Sequence, residues 1–517
     1  MLVVLIIFIA YKIPQLHYPF YCDEGWVYAP AVKTMAIHGP GLLPGALPYT
    51  LSRGHPLLFH FFCALWIRCL GYSNTAIHSF PLLVSVIFII AVYECCFRLF
   101  GKQVAILALL LVCTQAVFYI QSSFVLPEIM VALCAFLSLY FYATDRFLQA
   151  AIFFFMLFFT KESGVVYGAV SGIHAVVLLF RSKESIKRRL LRLASVVIPA
   201  LLIVLFFMLQ KQKEGWFLLP EHVNLIHTDW NDFYARFRDG LYWTFPGHST
   251  RHLLVFFIIL LSAVPAVQRR NVRYLFLCLP AAIVYILLND YIVEHTGDVV
   301  WMVLFLLFFV LAVYYLFRLD TTMAGPARRF IILLVAGFVS YLCFLGLSVT
   351  TYRYLTCNIF LAMVFLAVCI IELAAASGYK LYYAAIAGIL LLGVYGYYSD
   401  DGDFETDPGV FPEIRVEMKE VAFLEKQNAY DKEVGITYGW LLWHYTDTLE
   451  GFLSTPRVFT KMKHFPPNPN TNYVVFGNQD ILDYNDLYHH ISHSPDYHLV
   501  FRVTDDYGAL GEIYKHN

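Results

Sequence analysis

Apolar residues dominate the first 400 positions, and polar ones are confined to short interruptions between long hydrophobic runs. Runs that read as membrane helices fall near 1–16, 75–97, 103–121, 124–143, 147–160, 163–180, 191–210, 252–268, 273–289, 299–317, 330–350, 354–376 and 380–397. That is about thirteen helices, a full crossing taking about 20 apolar residues. The first run is short for a span and has neither a basic leader nor a small-residue cleavage site, so it reads as a retained helix. After residue 398 the pattern changes. "PEIRVEMKEVAFLEKQN" (412–428) has helical periodicity, whereas "KEVGITYG", "NYVVFGN" and "YHLVFRVT" read as short strands between turn-rich stretches. The expected fold is an all-α polytopic membrane domain over 1–397, followed by a small α/β domain over 398–517.

Run 56–70, "PLLFHFFCALWIRCL", is settled by charge. If it lies along the membrane surface, the basic loops "FRLFGK" (97–102), "TDR" (144–146), "RSKESIKRR" (181–189), "QRRNVR" (268–273) and "ARR" (327–329) all share one side. The positive-inside rule makes that side cytoplasmic. Arg68, near the end of the run, also suits an interfacial helix. The N-terminus is then inside and the C-terminal domain outside, as expected for a multi-pass protein of the plasma (inner) membrane. The loop 17–74, the loop 211–251 and the turns 121–128 and 351–355 face outward with that domain.

Composition agrees. Hydrophobic residues make up 60% of the chain and charged residues 14%, with mean hydropathy +0.65, against about 45–50% and 25% in soluble domains. The net charge of −1 gives no footprint for nucleic acid. The cysteines form no CxxC pair, so neither a disulfide framework nor a zinc site is read from them. "GPGLLPG" (39–45) lacks the Lys-Ser/Thr of a phosphate loop. "HHISH" (489–493) has two histidines at metal-ligand spacing but lies among ordinary surface residues.

Ionisable groups at a membrane boundary call for explanation. Asp23 and Glu24 follow the first helix in "YCDEGWVYAP". Arg53 and His55 precede the proline that opens the interfacial run, Glu128 starts an outward helix end, Lys161 and Glu162 sit between two apolar runs, and Arg353 lies in "TTYRYLTC". Each has an ordinary reading: a helix cap for the acids, a self-neutralising Lys–Glu pair, interfacial anchoring for the arginines. Together, Asp23, Glu24, Arg53, His55, Glu128, Lys161 and Arg353 map five segments to one membrane surface. Acids beside phosphate-compatible cations suit the handling of a lipid phosphate with general-base chemistry next to it.

In that order, "DEGWVYAPAVKTMAIHG", "RGHPLLFHFF", "LFGKQVAILALLL", "SSFVLPEIMVALCAFLSLYFY", "FTKESGVV" and "YRYL" resemble the GT-C superfamily of integral-membrane glycosyltransferases, in its branch of bacterial protein O-mannosyltransferases and aminoarabinose (lipid A) transferases. The resemblance covers residues 1–376. It implies an inverting transfer of a sugar from a polyprenyl-phosphate carrier to a lipid, glycan or protein acceptor on the outer face. It implies Asp23 as general base, with Glu24 beside it, and Glu128 as a second acid that orients acceptor or metal. Arg53, His55, Lys161 and Arg353 would hold the donor phosphate. Aminoarabinose transferases carry Glu-Lys-Pro-Pro where this chain has "RGHP", so a divalent metal ion is left open as cofactor, and so is the sugar. A transporter or flippase of lipid-linked sugars, or a surface-polysaccharide polymerase or ligase, remains the alternative.

Overall fold

The computed structural model describes residues 1–517 apart from 183, 227, 245–324, 350, 378–379, 400–404, 438–440, 465–470, 478–480 and 482. The runs expected at 252–268, 273–289 and 299–317 therefore lie outside the described residues. The others form helices. Among the described residues five segments are long and apolar enough to cross a membrane: Asn74–Phe100, Glu162–Arg181, Ile186–Glu214, Gly325–Leu347 and Tyr352–Glu372. Ile186–Glu214 leaves Val197, Ile198, Leu201, Leu202, Val204, Leu205 and Met208 exposed. So much uncovered apolar surface on one helix needs lipid, and the chain is an integral membrane protein.

Local chemistry sets the helix ends. The Ser73 side chain accepts from the Ala76 amide at the head of Asn74–Phe100, and Ser185 accepts from Arg188 at the head of Ile186–Glu214, supplying partners for otherwise orphaned donors. Pro81 and Pro199 lie inside these two helices. The run 103–121 differs from expectation. It breaks into Lys102–Cys113 and Ala116–Gln121 because Gln115 adopts an extended backbone after Thr114 has turned its hydroxyl back to the Leu110 carbonyl. Leu58–Leu70 is a helix of 13 residues, about 20 Å long against a hydrocarbon core of about 30 Å.

Helix Glu128–Ala143 orients the bundle. At its C-terminal end Asp145 binds Arg188 (2.6 Å), Arg192 (2.6 Å) and Arg329 (2.7 Å), and Glu184 binds Arg192 (2.6 Å). Three of the basic loops thus gather at the end away from Glu128.

The C-terminal part carries helix Val410–Lys426 and a five-stranded mixed sheet of β1 (Glu433–Ile436), β2 (Lys461–His464), β3 (Tyr473–Gly477), β4 (Tyr497–Thr504) and β5 (Leu510–His516). Its order is β2-β1-β3-β5-β4, with β1 parallel to β2 and β3, and β5 antiparallel to β3 and β4. This part packs tightly on the membrane helices. Phe411 meets Tyr18, Tyr119 and Phe124 at centroid distances of 5.7–5.9 Å, and the Phe20 amide donates to the Glu450 carbonyl (2.9 Å).

Candidate functional site

The turn at Asp23 and Glu24 sends two adjacent carboxylates in different directions. Cys22 has a positive φ of 50°, and the chain then enters a wide helical turn, Glu24–Tyr28, continuing into Ala29–His38. Glu24 turns inward and is fully buried. Its Oε1 accepts from the Val125 amide (2.7 Å) and meets His78 Nε2 (2.8 Å), and its Oε2 accepts from the Tyr21 amide (3.3 Å). Those contacts tie the first loop to helix Asn74–Phe100 and to the turn before Glu128. The geometry gives Glu24 a structural part rather than the catalytic one implied beside Asp23. Gly25 lets Glu450 approach closely, since a Cβ there would lie 2.5 Å from a Glu450 side-chain oxygen and displace it.

Asp23 turns the other way. Its Oδ1 accepts from Trp26 Nε1 (3.0 Å), its Oδ2 accepts from Arg353 Nη2 (2.8 Å), and its side chain keeps 34% exposure. A carboxylate that is oriented on one side and open on the other is what proton abstraction from a bound molecule requires.

Arg353, from the short turn Tyr352–Leu355 that opens helix Thr356–Ser377, is the hub of the site. It is buried and faces three carboxylates: Asp23, Glu128 (3.5 Å from Nε) and Glu405. Lys161 pairs with Glu128 Oε1 (2.9 Å) and sits 4.0 Å from the centroid of the Tyr354 ring. Glu128 Oε2 has no partner among the described residues, a costly state for a buried oxygen and one that leaves an acceptor available to a ligand. Glu405 was not anticipated. It arrives from the segment before helix Val410–Lys426, and also accepts from the Asp23 amide (3.0 Å).

Lys161 and Glu162 do not neutralise one another. Lys161 has an extended backbone (φ −158°, ψ 135°), so successive side chains project to opposite sides. Lys161 goes to Glu128, and Glu162 goes to His55 Nδ1 (2.9 Å). His222, from the short helix Pro220–Val223, stacks beside His55 at 4.9 Å between ring centroids. The ligand atoms of His55, Glu162 and His222 all lie within 4.8 Å of one another, and this is the one such group among the described residues. The "HHISH" histidines do not join it. Arg53 pairs with Glu221 (2.6 Å) and lies 5.6 Å from the Trp26 ring. The candidate site thus has two adjoining halves, hinged on Lys161 and Glu162.

Electrostatics mark a second buried patch where the C-terminal part meets the first loop. Burial, reinforced by Asp447, Glu417 and Glu24, pushes the Glu450 carboxyl up to about 9, and burial pulls His444 down to about 3. Burial likewise raises Glu405 to about 8, with Asp23 and Glu128 adding to it and Arg353 opposing. In the unfolded chain both acids ionise near 4.5, so above that pH the folded protein retains protons that unfolding would release, and stability falls as pH rises. His444 works oppositely, adding stability up to its ordinary value of 6.5 and nothing further above it. Between pH 6.5 and 8 His444 adds nothing further, and the two acids pull stability down. The apparent melting temperature of the detergent-solubilised protein should fall across that window, and Glu450→Gln should flatten part of the slope. A flat or rising profile would contradict the assignment.

No protein-family model matches the chain, and no curated protein does. Two solved structures align with nearly all of it, both crystal structures of ArnT from Cupriavidus metallidurans. The form bound to undecaprenyl phosphate has a TM-score of 0.49 and 12% identity, covering 99% of this chain and 97% of that one. The apo form has a TM-score of 0.49 and 13% identity, covering 98% and 97%. At that score and identity the alignment is a similarity alone, and the function below is argued from this chain's own residues.

Proposed function

We propose that the protein is an inverting glycosyltransferase that moves a sugar from a polyprenyl-phosphate carrier to a lipid, glycan or protein acceptor on the outer face of the membrane. The observation that carries this reading is the convergence of Asp23, Glu128, Lys161 and Arg353 at one end of a helical membrane bundle. The motifs that resemble GT-C transferases supply these same residues. Asp23 takes the proton of the acceptor hydroxyl as its oxygen bonds to the anomeric carbon. The bond from that carbon to the phosphate oxygen breaks on the opposite face, and its electron pair leaves with the polyprenyl phosphate. Arg353 and Lys161 hold the phosphate and stabilise the charge that grows on it.

His55, Glu162 and His222 fit a divalent cation by donor type and spacing, two imidazole nitrogens and a carboxylate being a zinc-like set. A metal held there would supply positive charge beside the phosphate. Arg53 would serve the rim of this half and not the phosphate itself.

One preparation tests both parts. Purified protein incubated with a panel of polyprenyl-phosphate sugars should release free polyprenyl phosphate with at least one of them. The same preparation should carry about one equivalent of transition metal by elemental analysis, lost in His222→Ala. No release with any donor would favour transport of lipid-linked sugars instead, and a metal-free active enzyme would remove the cation.

A further inference from the structure

We propose that the Glu405 carboxyl is a built-in occupant of the donor's phosphate position on Arg353, and that a polyprenyl phosphate enters by displacing it. This rests on the transferase reading above and adds a competing group to its donor site.

Three observations lead there. The first is origin. Glu405 is brought to Asp23 across 382 positions of sequence, on the segment Glu405–Gly409 that leads into helix Val410–Lys426. That segment is anchored independently of the site at its far end. The Asp407 carboxylate accepts from the Gly409 amide (2.6 Å), and Phe411 packs against Tyr18, Tyr119 and Phe124. At its near end it makes three polar contacts: the Glu405 carbonyl accepts from Gln121 Nε2 (2.7 Å), and the carboxyl accepts from the Asp23 amide and from Arg353.

The second is charge. Two cations, Arg353 and Lys161, face three carboxyl groups, Asp23, Glu128 and Glu405. Lys161 serves Glu128 and Arg353 serves Asp23, while burial, with Asp23 and Glu128 adding to it, keeps the Glu405 carboxyl protonated up to about 8. A neutral carboxyl is a weaker partner for a guanidinium than a phosphate is, so the resting contact is easily exchanged.

The third is shape. A guanidinium receives carboxylate and phosphate oxygens with the same fork. A phosphate brings more charge and more acceptors, and with it in place Lys161 and Arg353 are both matched. Neither Asp23 nor Glu128 can leave in the same way, since each sits on an element packed into the bundle. Exchange of Glu405 couples donor entry to movement of the segment Glu405–Gly409.

The test uses the full chain in detergent micelles and sugar-free polyprenyl phosphate as ligand. A site that must first release an internal occupant binds with an affinity reduced by the fraction open. Glu405→Gln should therefore tighten binding about tenfold, and Gln121→Ala, which loosens the segment and leaves the Glu405 carboxyl in place, about threefold. Arg353→Gln should lose binding. In the wild type, hydrogen exchange of the amides of Glu405–Val410 should rise when the lipid is added. With a sugar-linked donor, Glu405→Gln should lower KM more than it changes kcat. Equal or weaker binding in both Glu405→Gln and Gln121→Ala, with unchanged exchange, would make Glu405 a fixed structural partner of Arg353 and overturn the proposal. If Glu405→Gln fails to fold, Gln121→Ala and the exchange experiment decide. A folded wild type that takes up no polyprenyl phosphate at all would instead sink the transferase reading, a result distinct from the others.

Discussion

Asp23→Asn should abolish sugar transfer while the protein still folds, inserts and binds polyprenyl phosphate. The amide keeps an oxygen for Trp26 Nε1, which donates to Oδ1 at 3.0 Å, and so preserves the turn. What it loses is basicity. Positioned general bases contribute about 10²–10⁴ in rate, so the initial rate should drop by roughly that factor, while the melting temperature should move little for a side chain that is one-third exposed. Binding of polyprenyl phosphate should hold or tighten, because Arg353 is released from one of its three carboxylates. Asp23→Glu should not rescue, since an extra methylene carries the carboxylate past the point where Trp26 and Arg353 hold it. Initial rates with a competent donor, beside lipid binding by the same variant, separate these outcomes. A normal rate in Asp23→Asn would remove the base assignment.

The sequence disclosed the parts of the site that lie at the ends of apolar runs, because a charge there stands out against its surroundings. Asp23, Glu128, Lys161 and Arg353 were legible in this way, and the structure brings them together. Glu24 could not be told from Asp23, since adjacent residues on a helical turn face different directions and only the partners His78 and Val125 reveal which one is buried. Lys161 and Glu162 read as a pair for the same reason, until the extended backbone at Lys161 sends them apart. Glu405 and His222 left no local signal. "DGDFETDPGV" (401–410) and "LLPEHV" (218–223) look like ordinary loop chemistry, and their importance comes from contacts made across the fold. In the sheet, β1, β3 and β4 were expected from their apolar runs. β2 was missed because "KMKH" is a short, charged edge strand, the composition that protects an edge from further pairing. β5 was missed because Gly511–Tyr514 are buried consecutively, without the alternation that marks a half-exposed strand.

Arg353→Gln should be the most damaging single change in the site, and it should damage stability and transfer for separable reasons. Removing one partner of a buried ion pair costs about 3–5 kcal/mol, because the remaining charge has lost its compensation. Here Asp23 and Glu128 lose it, with only Lys161 left near Glu128. The variant should therefore melt well below the wild type and do worse as pH rises, because burial raises the Glu405 carboxyl and the guanidinium that opposed this is gone. Glu405→Gln in the same chain should recover the part of that stability lost as pH rises, since an amide has no proton to release. It should recover none of the transfer, because the leaving phosphate still lacks its guanidinium, a loss of about 10²–10³ by comparison with other charge-stabilising donors. Arg353→Lys keeps the charge without the fork and should fall between the two. Thermal melts and initial rates on the single and double variants form a cycle in which stability and activity part company. If Glu405→Gln restored transfer along with stability, Arg353 would be a scaffold for Asp23 and the donor's phosphate would have to be held elsewhere.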